Sequence, residues 1–224
     1  MYLKDIKTLI SNPLYKALEK EGIKELRPCQ EKAIKKGLFK DKNLLVCTPT
    51  ASGKTLIAEM ILVETVIRNN FKRKGIYLAP LRALANEKFK EFKRKYDFLK
   101  IALSIGDLDS DDPFLDKFDI IITTPEKLDS LMRHHAFWIY KIKTLVVDEI
   151  HTLNDYERGP TLEIIITLLR ELIRDLQIIG LSATIGNPDE LGEWLNAEVI
   201  IDNWRPVKLE KGIYYNGKIE FFNL

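Results

Sequence analysis

Two short runs, Ile120-Ile121-Ile122 and Leu145-Val146-Val147, are apolar at consecutive positions with no polar alternation. A strand with one wet face alternates apolar and polar residues, so an unbroken β-branched run belongs to a strand covered on both faces. Strands are predicted over 43–47, 75–79, 100–104, 119–123, 144–148, 177–181 and 198–201. Between them lie stretches with a helical period. One is 161–175, with Leu162, Ile165, Ile166, Leu169, Leu172 and Ile173 on one face; another is 81–96, with Leu81, Ala85, Phe89, Phe92 and Tyr96. Pro188 suits the first turn of a third, running to about Leu195. Strand–helix alternation of this kind implies an α/β fold, a mostly parallel central sheet with helices on both faces. Ligands in such folds bind beyond the carboxyl ends of the strands, so residues just after strands are the ones to read for chemistry.

The chain has 224 residues, enough for one large α/β domain. Residues 1–40 hold two helical patterns, 41–204 carry the alternating region, and 205–224 contain short alternating segments without a helix. Apolar residues make up 46% and charged residues 30%, the balance of a globular domain with a core. The most apolar stretch, 56–67, is interrupted by Glu59 and Glu64 and is too short to span a bilayer. Lys4, Asp5 and Lys7 argue against a secretory leader. No membrane association and a cytoplasmic location are therefore expected. Cys29 and Cys47 form no C-x-x-C pair and His134, His135 and His151 lack zinc spacing, so two reduced thiols and no structural metal are expected. The net charge of +2 is too small to argue for nucleic acid by itself. Trp194 and Trp204 read as packing residues.

Thr48-Pro49-Thr50-Ala51-Ser52-Gly53-Lys54-Thr55 follows the first strand and opens a helix, the setting of a phosphate loop. Backbone N–H groups at a helix start, with the helix dipole behind them, attract phosphate oxygens. Gly53 allows close approach of the backbone, Lys54 reaches the β and γ phosphates, and the Thr55 hydroxyl suits Mg²⁺. The common form of this loop carries Gly where this chain has Thr48. A second signal is Asp148-Glu149-Ile150-His151 at the end of an apolar strand. Asp148 suits a magnesium ion held through its water shell, and Glu149 suits orientation or deprotonation of an attacking water.

In this order the motifs resemble superfamily 2 helicases, and within them the Ski-two-like group. Arg27-Pro28-Cys29-Gln30 is similar to the adenine-recognising Q motif and Thr48–Thr55 to motif I, where members often lack the first Gly. Ala79-Pro80-Leu81-Arg82-Ala83-Leu84 resembles motif Ia, Thr123-Thr124-Pro125-Glu126-Lys127 motif Ib, Asp148–His151 motif II, and Ser182-Ala183-Thr184 motif III. Arg158-Gly159-Pro160-Thr161-Leu162-Glu163, Gly186-Asn187-Pro188 and Trp204-Arg205-Pro206-Val207 are similar to the archaeal Hjm type of DNA helicase in that group.

The resemblance implies a first RecA-like domain that binds ATP and Mg²⁺, with Gln30 on the base. It implies Pro80, Arg82, Thr124, Pro125 and Glu126 along one strand of single-stranded or forked DNA, through backbone contacts that carry no base information. It implies that Ser182, Thr184 and His151 link nucleotide state to that strand site. A solvated helix face for Arg82 and Lys127, an exposed helix glutamine for Gln30, and a helix cap for Ser182 and Thr184, are the alternative readings of those residues. The family also has a second RecA-like domain in cis whose arginine fingers reach the γ-phosphate, and no segment after Trp204 matches it. The 224 residues alone are therefore expected to act as a monomer that binds ATP weakly and turns it over slowly. An RNA substrate, or a nucleotide-gated clamp that does not unwind, are the alternatives.

Overall fold

The computed structural model describes residues 1–106 and 112–222. Its main sheet has seven strands: β1 (Asn43–Cys47), β2 (Lys74–Leu78), β3 (Ile101–Ser104), β4 (Ile120–Thr123), β5 (Ile142–Val147), β6 (Gln177–Ser182) and β7 (Ala197–Ile201). They lie in the order β3-β4-β2-β5-β6-β1-β7, and every pairing is parallel. Parallel neighbours require crossovers, supplied by α3 (Lys54–Arg68), α4 (Arg82–Lys95), α5 (Pro125–Arg133), α6 (Gly159–Leu172) and α7 (Pro188–Leu195). Two further helices, α1 (Asn12–Lys20) and α2 (Pro28–Lys36), precede the sheet.

The apolar strand runs are explained by two cores, one on each face. Leu44, Val46, Tyr77, Ile120, Ile122, Val146 and Ile179 pack with α1 to α4 on one side. Leu45, Cys47, Ile76, Ile121, Leu145, Val147 and Ile178 pack with α5 to α7 on the other. Successive strand residues point to opposite faces, so each run fills both cores at once. Each aliphatic side chain so buried contributes about 1.5–3 kcal/mol, several-fold more than any helix propensity at stake.

Residues 1–40 are part of this body: Leu3, Ile6, Leu14, Leu18, Ala33 and Leu38 share the first core. The apolar stretch 56–67 is α3, buried nearly all round. Its two carboxylates are satisfied there, Glu59 by Tyr96 and Lys95 and Glu64 by Ser11 and Arg68. No helix among the described residues is long and apolar enough to cross a membrane.

Several predicted elements shift by one to three residues. α6 stops at Leu172, short of 175, because Ile173 adopts an extended backbone; Ile173 is buried while Leu172 is 45% exposed. α4 begins at Arg82, and Leu81, expected on its apolar face, is 56% exposed in the extended cap position. α3 and α5 were not delimited by periodicity, since α3 is apolar on most sides and α5 is short. The tail forms an antiparallel hairpin of β8 (Gly212–Tyr215) and β9 (Lys218–Phe221) outside the main sheet; residues 223–224 lie outside the described ones.

Both cysteines are free and buried. Burial pushes the Cys29 thiol up, and pushes Cys47 up to about 11. At pH 8 about one Cys47 in a thousand is then a thiolate, and the thiolate is the reactive form. Ellman's reagent should therefore label neither thiol over minutes in the native chain and both at once in denaturant. Fast native labelling would contradict this burial.

Candidate ATP and nucleic-acid site

The phosphate loop leaves β1 and turns twice through left-handed backbone, at Ala51 (φ 62°) and Gly53 (φ 101°), before α3 starts at Lys54. At Gly53 a side chain is excluded twice over, by that φ and because a Cβ would fall 2.4 Å from Gln30 Nε2. The start of α2 grips three successive loop carbonyls. The Arg27 guanidinium donates to Ala51 O, Cys29 Sγ to Ser52 O (3.3 Å) and Gln30 Nε2 to Gly53 O (2.9 Å). With those carbonyls turned toward α2, the N–H groups of Gly53 and Lys54 lie on the opposite side of the same peptides, free of that grip and able to donate to an anion. Thr48 Oγ1 and Ser52 Oγ, 2.7 Å apart, close the loop from within. Pro49 and Thr50 form its outer turn, and Thr55 is half-buried in the first turn of α3.

Lys54 is buried and donates to the carbonyls of Thr48 (2.6 Å) and Pro49 (3.1 Å). Burial lowers its pKa, and the charges of Glu149 and then Asp148 pull it back up. The loop and the acid pair thus share one electrostatic environment across the end of β6, which lies between β1 and β5.

Asp148 follows β5. Its Oδ1 accepts from the Glu149 N–H at 3.0 Å, and its Oδ2 accepts from the Tyr77 hydroxyl at 2.5 Å. Burial and then the Asp148 charge push the Tyr77 phenol well above its usual range, so the hydroxyl stays a donor. Glu149 has a left-handed backbone (φ 49°), a conformation that costs a non-glycine residue about 1–3 kcal/mol and is concentrated at working sites. Its Oε2 is buried and makes no hydrogen bond among the described residues; His151 Nδ1 lies 3.3 Å from it. His151 Nδ1 also lies 3.4 Å from Ser182 Oγ at the end of β6. Ser182 therefore approaches the acid pair through His151 rather than directly. Thr184 is exposed, and no hydrogen bond carries it to Asp148 or Glu149 among the described residues. Neither Ser182 nor Thr184 caps α7, whose cap is Asn187.

No cluster of three or more His, Cys, Asp or Glu that could hold a metal occurs among the described residues. The Asp148 carboxylate and the Thr55 hydroxyl are oxygen donors of the kind that suit magnesium, which keeps much of its water and is held by few protein ligands together with phosphate oxygens.

Further along the same edge, past β5, are the ends of β2 and β4. Pro80 and the exposed Arg82 follow β2, with Arg82 opening α4. Thr124 caps α5, accepting from the Lys127 N–H at 3.5 Å, with buried Pro125 and exposed Glu126 in the first turn. Lys127, in contrast, is buried against Asp112 (3.0 Å), so a solvated helix face is not its setting. Trp194 packs on the second core, whereas Trp204 is 38% exposed with the Arg27 guanidinium 5.6 Å over its ring. An open cleft of about 1110 Å³ at the opposite, amino ends of β1 and β5, lined by Asn43, Lys143 and Glu198 among others, contains none of the site residues. The roles of Arg27 and Cys29 as loop anchors, and the contact of Tyr77, were not visible from spacing.

A parallel sheet with a phosphate loop, an acid pair two strands away and further motifs along one edge is the RecA-like ATPase plan. The chain belongs to the DEAD/DEAH box helicase family, whose model matches residues 27–191. Among curated relatives it is 59% identical over 208 residues to the ATP-dependent DNA helicase Hel308 of Methanocaldococcus jannaschii, covering 90% of this chain and 17% of that protein. It is 51% identical over 222 residues to Hel308 of Pyrococcus horikoshii, covering 96% of this chain and 30% of that one. The chain thus spans less than a third of the length of these relatives. Among solved structures, the DUF1998 helicase MrfA bound to DNA matches with a TM-score of 0.76 at 31% identity, over 87% of this chain and 30% of that one.

Proposed function

We propose that this chain is the ATP-binding motor domain of a DNA helicase, working as a monomer with a second RecA-like domain in cis. The observation that carries the reading is that the phosphate loop with its buried Lys54 follows β1 and the acid pair follows β5, separated only by β6, on the sheet edge that also bears Arg82 and Thr124. In this reading residues 48–55 cradle the phosphates of ATP, and Gln30, whose amide here accepts from the Arg27 N–H and donates to Gly53 O, meets the base once those bonds are exchanged. Thr55 and Asp148 hold Mg²⁺, which when bound neutralises phosphate charge. Glu149 orients and deprotonates the attacking water. Pro80, Arg82, Thr124, Pro125 and Glu126 follow one strand of the nucleic acid by its backbone. Ser182 and His151, with Thr184 beside them, report the state of the acid pair. DNA is favoured because the curated relatives are named DNA helicases and the solved neighbour is bound to DNA. The polarity implied by the Ski-two-like resemblance is 3′ to 5′. The arginine finger expected from the second domain is worth about 10³–10⁵ in turnover, so these residues alone hydrolyse ATP slowly.

Binding of a fluorescein-labelled single strand, with and without ATP–Mg²⁺, tests the reading. Arg82→Ala should weaken binding equally for all sequences and lower the salt slope by about one charge. A strand affinity indifferent to both ATP and Arg82→Ala would contradict it.

A further inference from the structure

Tyr77 is wholly buried in β2, yet it carries a hydroxyl into the apolar core. A buried hydroxyl without a partner costs about 1–3 kcal/mol, so its partner identifies what the residue is for. That partner is Asp148 Oδ2, at 2.5 Å. The contact follows from register. β2 pairs with β5 so that Tyr77 lies beside Val146, both facing the first core, and Asp148 is two residues further on the same face. The Asp148 N–H is also tied to Leu78 O at 2.9 Å. The carboxylate is thereby fixed at both oxygens, by Tyr77 on one side and by the Glu149 N–H on the other. The ring itself is held edge-on by Phe92 of α4, with centroids 5.8 Å apart.

We propose that Tyr77 is a positioning residue of the ATP–Mg²⁺ site, whose hydroxyl fixes the orientation in which the Asp148 carboxylate meets the hydrated metal. This rests on the reading of Asp148 given above. Groups that hydrogen-bond a metal-side carboxylate hold its rotamer, and losing one lowers metal affinity by about 10–100-fold. Tyr77 touches no substrate; it acts through Asp148. Its place on β2, three residues before Pro80, also joins the metal carboxylate to the strand that carries the proposed nucleic-acid contacts.

The test uses a fluorescent ATP analogue on the 224-residue chain, titrated with Mg²⁺ and repeated in chelator. Tyr77→Phe keeps the ring and its packing on Phe92. It should raise the Mg²⁺ concentration for half-maximal tightening about tenfold and leave metal-free binding unchanged. Tyr96→Phe removes a comparable buried hydroxyl, bonded to Glu59 at 2.7 Å, and should leave the Mg²⁺ dependence in place. Thermal melting confirms that each variant is folded. The proposal is overturned if Tyr77→Phe leaves the Mg²⁺ midpoint within twofold while Asp148→Ala removes the metal dependence, an outcome that spares the functional reading. It is equally overturned if Tyr96→Phe shifts the midpoint as far as Tyr77→Phe. If Asp148→Ala leaves the metal dependence intact, the ATP–Mg²⁺ reading falls and the proposal with it.

Discussion

Lys54→Ala should weaken ATP binding by about 10–100-fold, the scale of losing a charge-assisted hydrogen bond of about 1.5–3 kcal/mol. The ammonium is buried among loop carbonyls and within the field of Glu149 and Asp148. Burial lowers its pKa, so the protein already holds a charge there against a desolvation penalty, and a bound triphosphate would compensate that penalty. Truncation removes a buried charge whose desolvation opposes folding, which offsets the two hydrogen bonds that Thr48 O and Pro49 O lose. The melting temperature should accordingly stay close to that of the parent. Calorimetric titration with ATP and Mg²⁺, alongside a melting curve, checks both halves. ATP affinity retained within threefold in a folded variant would remove the basis for the nucleotide site.

A second large effect is expected from Glu149→Gln. The substitution keeps size and the left-handed turn but removes a carboxylate able to take a proton. Positioned acid–base groups contribute about 10²–10⁴-fold, so single-turnover hydrolysis should fall by that order while ATP and strand affinities change little. Glu149 Oε2 is buried without a hydrogen-bond partner among the described residues, so the substitution breaks no structural bond at that atom. Translocation or unwinding, measured with the second domain present, should stop. A clamp that only grips would keep its function in this variant, so the same protein separates the two classes. Hydrolysis within a few-fold of the parent would assign the water-activating role elsewhere.

Much of the site was legible because its parts are local. The phosphate loop is eight consecutive residues between a strand and a helix, and Asp148-Glu149 ends an apolar run. What spacing could not supply is which strands become neighbours. Tyr77 reads as one more apolar strand residue until β2 is seen beside β5. The grip of Arg27, Cys29 and Gln30 on residues 51–53 joins segments more than twenty positions apart, through hydrogen bonds with no periodic signature. Leu81 and Leu172 matched helical faces and are nonetheless exposed, because period identifies a face but not where the helix begins or ends.

By itself the sequence determined the α/β class and the seven strands of the sheet, and it marked the residues at their carboxyl ends as the candidates for chemistry, since burial on two faces and phosphate binding both demand particular residues in unbroken order. Only the tertiary structure decided the strand order β3-β4-β2-β5-β6-β1-β7, and with it which side chains meet. That order places Ser182 beside His151 and Tyr77 against Asp148, and it merges residues 1–40 with the first core. Pairing between distant strands is set by how two whole helical layers fill the faces of one sheet, a quantity no local stretch of chain contains.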